Sequence, residues 1–301
     1  MCFLSIDAEN LFDSLRKTRT GSIIEFGDPK AVRELTCALL FKYFGLRLEI
    51  PLDSLCPPVP NRYKPFNAGY FDLPQPSCIK QRVQFIVRLD YILHIEDLLS
   101  ESNPSLDATV RGIDIGTGAS CIYPLLGCSR NPKWSFLALE IDERSIDFAT
   151  QNVNRNSLQN CITVVKGSTQ NPIISLPNDN QMYDFCMCNP PFYSDEEEMR
   201  VSRSIKQQAP LSLCMGSQNE MLQPGGEVAF VTSLIEESQI LGCRITWYTS
   251  LVGFRENAQR LEALLHQKQI PVVRRAVYKQ GRTSRSILTW SFRKEFCKSQ
   301  N

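Results

Sequence analysis

From residue 110 onward the chain repeats a pattern: a short apolar run, a turn, then a stretch whose apolar positions recur every three or four residues. Val110-Arg111-Gly112-Ile113-Asp114-Ile115 reads as a strand running into Gly116-Thr117-Gly118, and residues 121–126 read as a short helix. Ser135-Phe136-Leu137-Ala138-Leu139-Glu140 is a second strand that ends in an acid. Residues 143–156 form a helix with Ile146, Ala149 and Val153 on one face, and Ile162-Thr163-Val164-Val165-Lys166 is a third strand. Asp184-Phe185-Cys186-Met187-Cys188 is a fourth. Strands and helices in this rhythm predict an α/β fold, a mostly parallel sheet with helices on both faces.

The flanks carry different patterns. Residues 1–50 read as mixed and largely helical. Asp28-Pro29 offers a helix start with proline at its first position, and residues 31–40 space their apolar side chains for one buried face. Residues 46–50 alternate like a short strand, and residues 88–99 resume helical spacing. Between them, prolines at 51, 57, 58, 60, 65, 74 and 76 break any period, so residues 51–87 read as a long loop or insertion. Residues 101–107 form a polar linker. After the fourth strand, Pro224-Gly225-Gly226-Glu227 reads as a tight turn, residues 228–231 as a fifth strand and residues 234–241 as a helix. Residues 245–252 and 286–292 read as an antiparallel pair flanking a helix over 257–267. The expected division is an N-terminal helical, substrate-binding part over 1–108, with a proline-rich insertion near 63–87, and a sheet-containing core over 109–301.

Composition narrows the classes. A hydrophobic content of 43% supports a sizeable core, and a net charge of +1 confines any nucleic-acid binding to local basic patches. No apolar run approaches the roughly 18 residues of a membrane span, and the first residues lack the basic start of a secretory signal. The 12 cysteines are scattered without a Cys-x-x-Cys pair, and only His94 and His266 could join them, so no metal site is expected. Cys121, Cys161, Cys186 and Cys188 fall in apolar segments and read as small core residues in a reducing, intracellular compartment.

The fourth strand runs into Asn189-Pro190-Pro191-Phe192. Two prolines cannot donate ladder hydrogen bonds, so the strand must end there on a stiff turn. An amide, carbonyls without neighbouring N–H groups and an aromatic ring thus stand at a strand's carboxyl end, where open α/β sheets bind ligands. Such a set suits methyl transfer to a planar amine: the Asn189 oxygen and Pro190 carbonyl accept from an exocyclic NH2, and Phe192 stacks on the ring. The rival is a proline-stiffened strand exit without chemistry. Gly116 and Gly118 after one strand, with Glu140 about twenty residues on, suit a nucleoside cofactor whose ribose hydroxyls the acid binds. Cys121 stands where a dinucleotide fingerprint would place its third glycine, and the strand carries Asp114. The polar stretch 167–171 leaves the third strand where an adenine ring would lie. Arg203 and Lys206 follow the acidic run 195–198, and Arg274, Arg275, Lys279, Arg282 and Arg285 surround a glycine turn. Both groups suit RNA phosphates, and both could equally be ordinary basic surface.

The chain resembles the methyltransferase-like protein 16 family and the related bacterial large-subunit ribosomal RNA adenine-N6 methyltransferases. The resemblance rests on Asp28-Pro29 with Leu35-Thr36, Asp90-Tyr91-Ile92 with Glu96-Asp97-Leu98, and the unbroken run 112–127. It continues in Cys186-Met187-Cys188-Asn189-Pro190-Pro191-Phe192, Gly225-Gly226-Glu227, Gln280-Gly281-Arg282-Thr283 and Trp290-Ser291-Phe292. It implies a class I, Rossmann-like fold with an antiparallel sheet edge, and an enzyme using S-adenosyl-L-methionine to make N6-methyladenosine in structured RNA. Implied partners are U6 small nuclear RNA and messenger RNA hairpins, and the implied location is nucleus or cytoplasm. By position it assigns Arg88, Asp114, Gly116, Gly118, Ser120, Glu140 and Asn171 to the cofactor. It assigns Asn189 to Phe192 to the flipped adenine, and Arg282 and Arg285 to RNA. Arg62 and Arg88 both match the arginine before Asp-Tyr-Ile; Arg88 keeps the spacing. The competing reading is an RNA-binding relative without methyl transfer, suggested by the insertion and by an N-terminus lacking the family's basic arm. Glutamine and DNA-adenine methyltransferases share a similar tetrad, and the matches over 112–127 and 280–283 argue against both.

Overall fold

Strand β3 (Val110–Ile115) is third of the seven strands of the main sheet, and the chain builds outward from it in two directions. The computed structural model describes residues 15–18, 21–24, 28–56, 89–102, 109–168, 172–174, 176–177, 181–191, 224–280 and 283–296. On one side of β3, β4 (Trp134–Glu140) and β5 (Ile162–Lys166) pair in parallel. On the other, β6 (Tyr183–Cys188) and β7 (Ile245–Val252) do the same. β9 (Thr283–Ser291) then adds antiparallel to β7, with β8 (Val272–Gln280) at the rim. The order is therefore β5-β4-β3-β6-β7-β9-β8, the expected mostly parallel sheet with an antiparallel edge. The direction of winding reverses at β3, which opens a crevice between the carboxyl ends of β3 and β6.

Period-two alternation sends side chains to two cores. Phe185 and Met187 of β6 join one core with α1 (Pro29–Phe44), α2 (Leu89–Ser102), α3 (Ile122–Arg130) and α4 (Glu143–Arg155). Cys186 and Cys188 join the other with α5 (Gly226–Leu241) and α6 (Arg255–Gln267). Each layer starts from local chemistry. Asp28 caps α1 by accepting the Lys30 N–H at 2.9 Å, and Pro29 takes the first turn, where a missing N–H costs nothing. Gly112 of β3 lies under the Phe185 ring so closely that a Cβ would sit 2.3 Å from a ring carbon, so no larger residue fits.

Four expectations change. Residues 228–231 are helical: α5 begins at Gly226 and buries Glu227, Val231, Leu234, Ile235 and Ser238, a three-to-four spacing that a four-residue apolar run conceals. Residues 46–50 alternate in burial but form no strand. Their ladder is made by side-chain amides of α4, because Asn156 pairs with both backbone groups of Arg47 (2.8 and 2.7 Å) and Asn152 with both of Glu49 (2.8 and 2.9 Å). Near the amino terminus, a separate antiparallel hairpin of β1 (Leu15–Thr18) and β2 (Gly21–Ile24) occupies a stretch read as largely helical. Finally, the stretch holding Arg274 and Arg275 is a strand of its own, β8.

Candidate functional site

Register alone brings the candidate residues to one level. Ile115 pairs with Leu139 on one side and Cys188 on the other, so the next residues, Gly116, Glu140 and Asn189, stand at one level at the carboxyl edge. Glu140 pairs in turn with Lys166, which places Gly167 on the same edge. Because β9 runs antiparallel, Ser286 pairs with Val252 and Arg285 also reaches this edge, close enough to Glu227 to act on its charge.

The turn after β3 is held by main-chain contacts. The Gly116 and Thr117 N–H groups both donate to the Leu139 carbonyl, at 2.9 and 3.0 Å. Gly116 and Gly118 have φ of 71° and 67°, and Cys121 follows with φ 50°, so the third glycine place is filled by a cysteine in a glycine-like conformation. Gly116 is exposed, and a Cβ there would meet nothing within 4 Å, which leaves the turn open to a ligand. Asn152 secures the far side by donating to the Ala119 carbonyl at 3.1 Å. Ser120 and Asp114 are buried behind the turn, Asp114 completely.

Glu140, 6% exposed, accepts the Gly118 N–H on one oxygen at 2.7 Å. Its other oxygen takes the Ile141 and Asp142 N–H groups at 2.8 and 3.1 Å. An ionised carboxylate offers about four lone-pair sites, so capacity remains for a further donor. Ile141, beside it, leaves 40% of its surface exposed, and its side chain lies against Gly167. This exposed apolar side chain between Glu140 and a glycine has no sequence signal beyond its place after Glu140.

Across the crevice the chemistry differs. Asn189 Oδ1 is buried and has no hydrogen-bond partner among the described residues, and Pro190 behind it is buried. The backbone just before it is gripped: the Cys188 N–H donates to the Tyr91 hydroxyl at 3.1 Å, and that hydroxyl lies 2.8 Å from Thr249 Oγ1. Burial holds the Tyr91 phenol well above its usual range, so it keeps its proton. Burial likewise pushes the Cys186 thiol up to about 12 and raises the Cys121 and Cys188 thiols well above the usual range, consistent with small core residues. Cys161 is only half-buried.

Several candidates are not brought together here. Arg88, Asn171, Phe192, Arg203, Lys206 and Arg282 lie outside the described residues, as does the 63–87 stretch. Arg274 is committed elsewhere: it makes a two-pronged pair with Glu101 at 2.7 and 2.8 Å and lies 5.0 Å over the Trp247 ring. Arg275 pairs with Glu262 at 3.2 Å. Both arginines are thus engaged by carboxylates of neighbouring helices, Glu101 of α2 and Glu262 of α6, which ties β8 to those helices. Among the described residues, no group of three His, Cys, Asp or Glu side chains could hold a metal, and no helix is long and apolar enough to cross a membrane.

Comparison with known proteins agrees with this arrangement. An RNA methyltransferase family model matches residues 7–73 and 63–294. The human RNA N(6)-adenosine-methyltransferase METTL16 is 38% identical over 273 residues, which are 89% of this chain and 44% of that protein. The U6 small nuclear RNA (adenine-(43)-N(6))-methyltransferase of Schizosaccharomyces pombe is 34% identical over 92% of this chain and 64% of its own length. The human METTL16 catalytic domain in complex with MAT2A 3'UTR hairpin 1 superposes with a TM-score of 0.76 at 35% identity, covering 95% of this chain and 89% of that one. The N-terminal domain of human METTL16 in complex with SAH superposes with a TM-score of 0.69 at 34% identity, covering 95% and 91%. The chain spans about half the length of the vertebrate relatives it matches. With its sheet order, its glycine turn and its Asn-Pro-Pro exit, this chain belongs to the RNA methyltransferase family that includes METTL16.

Proposed function

We propose that this chain is an S-adenosyl-L-methionine-dependent methyltransferase acting on the N6 amine of adenosine in structured RNA, in nucleus or cytoplasm. One observation carries the reading: among the described residues Asn189 presents a buried acceptor without a donor, at a strand exit where two prolines remove competing N–H groups. Leaving such an acceptor unmatched costs about 1–3 kcal/mol. An exocyclic NH2 supplies the missing donor.

The opposite side fits the cofactor: an open glycine turn accommodates close approach, and Glu140 retains accepting capacity for ribose hydroxyls. In this reading Gly116, Gly118 and Ser120 bound the cofactor's path and Asp114 supports the turn from behind. Arg88 and Asn171 complete the set. When bound, the cofactor supplies an activated methyl group on a sulfonium sulfur. Asn189 Oδ1 and the Pro190 carbonyl take the two amine hydrogens, which orients the nitrogen lone pair, while Phe192 stacks on the base. Alignment rather than a strong base carries the rate. The adenine has to leave its stack to be reached. Arg203, Lys206, Arg282 and Arg285 contribute phosphate contacts that position the RNA. Residues 1–108 contribute substrate binding and residues 109–301 the catalytic core.

The relatives guide the choice of RNA: one complex holds a MAT2A 3'UTR hairpin, and another relative carries U6 small nuclear RNA in its name. The test is transfer of labelled methyl to two hairpins that differ only in adenine or purine at the target position. Label on the adenine hairpin alone supports the reading. Cofactor and RNA binding without transfer would leave an RNA-binding relative instead.

A further inference from the structure

The ladder between β6 and β7 stops at Cys186 paired with Tyr248, two residues short of the end of β6. Beyond that point, side-chain hydroxyls replace it. The Cys188 N–H donates to Tyr91 Oη at 3.1 Å, and Thr249 Oγ1 donates to the Cys186 carbonyl at 2.8 Å. Thr249 has one hydroxyl hydrogen and has used it, so across the 2.8 Å contact between the hydroxyls Tyr91 is the donor, with the Cys188 carbonyl at 3.4 Å its more distant acceptor. Proton counting therefore gives a one-way chain, from the Cys188 N–H through Tyr91 and Thr249 to the Cys186 carbonyl. Tyr91 is 1% exposed and Thr249 fully buried, so water does not compete. The Tyr91 ring also meets Tyr123 edge-on at 5.4 Å, in the first turn of α3, directly after the glycine turn.

We propose that Tyr91, relayed by Thr249, is a positioning residue for methyl transfer. It fixes the main chain immediately before Asn189 and ties that strand end to the helix behind the glycine turn. This rests on the reading of Asn189 as the acceptor for the target amine. Without the hydroxyl chain, the last two residues of β6 keep only their pairing to β3, and Asn189 loses its support on the β7 side. A displacement of about 1 Å at an aligning group costs up to roughly 100-fold in rate.

The experiment uses the full chain, a synthetic RNA hairpin with an adenine in its loop, and single-turnover transfer at saturating cofactor and RNA, with both affinities measured separately. Tyr91→Phe keeps the ring and is expected to slow transfer roughly 10- to 100-fold while both affinities stay within about twofold. Thr249→Val behaves alike, Thr249→Ser restores the rate, and Tyr91→Phe with Thr249→Val is no slower than the worse single change, because both break one chain. Tyr91→Phe at the parental rate overturns the proposal, as does a slowing matched by equal loss of affinity. Should Tyr91→Phe not fold, the Thr249 pair decides: equal rates for Ser and Val overturn it. Asn189→Ala separates the layers. Activity in that variant, or no transfer by the parent, removes the underlying reading, whereas an inactive Asn189→Ala beside a fully active Tyr91→Phe removes only the positioning role.

Discussion

On the β4 side of the crevice both oxygens of Glu140 already hold backbone donors, whereas across it the Oδ1 of Asn189 holds none. Both groups stand at the same level of the carboxyl edge, directly after Leu139 and Cys188, and both are shielded from solvent. In the proposed reading the contrast is one of function. A cofactor side that is satisfied by its own main chain keeps its shape between turnovers. A substrate side whose acceptor is unmatched by the protein is satisfied only by a donor of the right geometry, so in that reading part of its hydrogen-bond energy is released when the target amine binds.

Asn189→Ala breaks the contrast most severely. Transfer is expected to fall by roughly 1,000-fold or more, in line with the loss of a preorganised polar contact at a reacting atom. The unfolding midpoint stays level or rises, because the change deletes an unmatched buried acceptor. A thermal melt beside a transfer assay checks both.

Glu140→Ala has the opposite signature. It strands three N–H groups, so stability drops by roughly 2–4 kcal/mol in denaturant titration. Cofactor affinity by calorimetry falls roughly 10- to 100-fold, the worth of a hydrogen bond to a charged group.

A third test leaves both sides of the crevice alone. His94 bonds Thr289 at 2.9 Å and Tyr278 at 3.1 Å, and burial depresses its pKa from 6.5 to about 4, with Asp97 opposing and Arg274 adding to the shift. As pH falls from 6.5 to about 4, the unfolded chain takes up a proton that the folded chain refuses. Stability therefore drops across that window by at most roughly 3 kcal/mol, and the loss levels off below it. His94→Gln flattens this limb in pH-dependent melts.

Gly116→Ala is the mildest change. The Cβ meets no atom, so the cost is the left-handed backbone alone, about 1–2 kcal/mol. A larger loss of stability would mean that the turn is more crowded than it stands.

The strand ends were legible because each announces itself: Gly-x-Gly cannot continue β3, two prolines cannot continue β6, and an acid closes β4. Depth was less legible. The run 228–231 has too few residues to separate strand from helix, and only its continuation to Ser238 at helical spacing does so. The alternation at 46–50 was real, but its partners are the Asn152 and Asn156 amides, which no one-dimensional pattern places beside it. Arg274 and Arg275 show the same limit in reverse: clustered charge reads as free until Glu101 and Glu262, distant in sequence, come to meet it. Tyr91 stood inside a recognised motif with no role attached, since a hydroxyl that substitutes for a strand ladder shows only once the strands have stopped pairing.

The most direct test of the open acceptor follows methyl label from the cofactor into an RNA hairpin and then into digested nucleosides, for the parent chain and Asn189→Ala side by side. The account predicts N6-methyladenosine from the parent, and none from a variant that melts at the same temperature or higher. Label in another nucleoside, or N6-methyladenosine from Asn189→Ala at the parental rate, would contradict it.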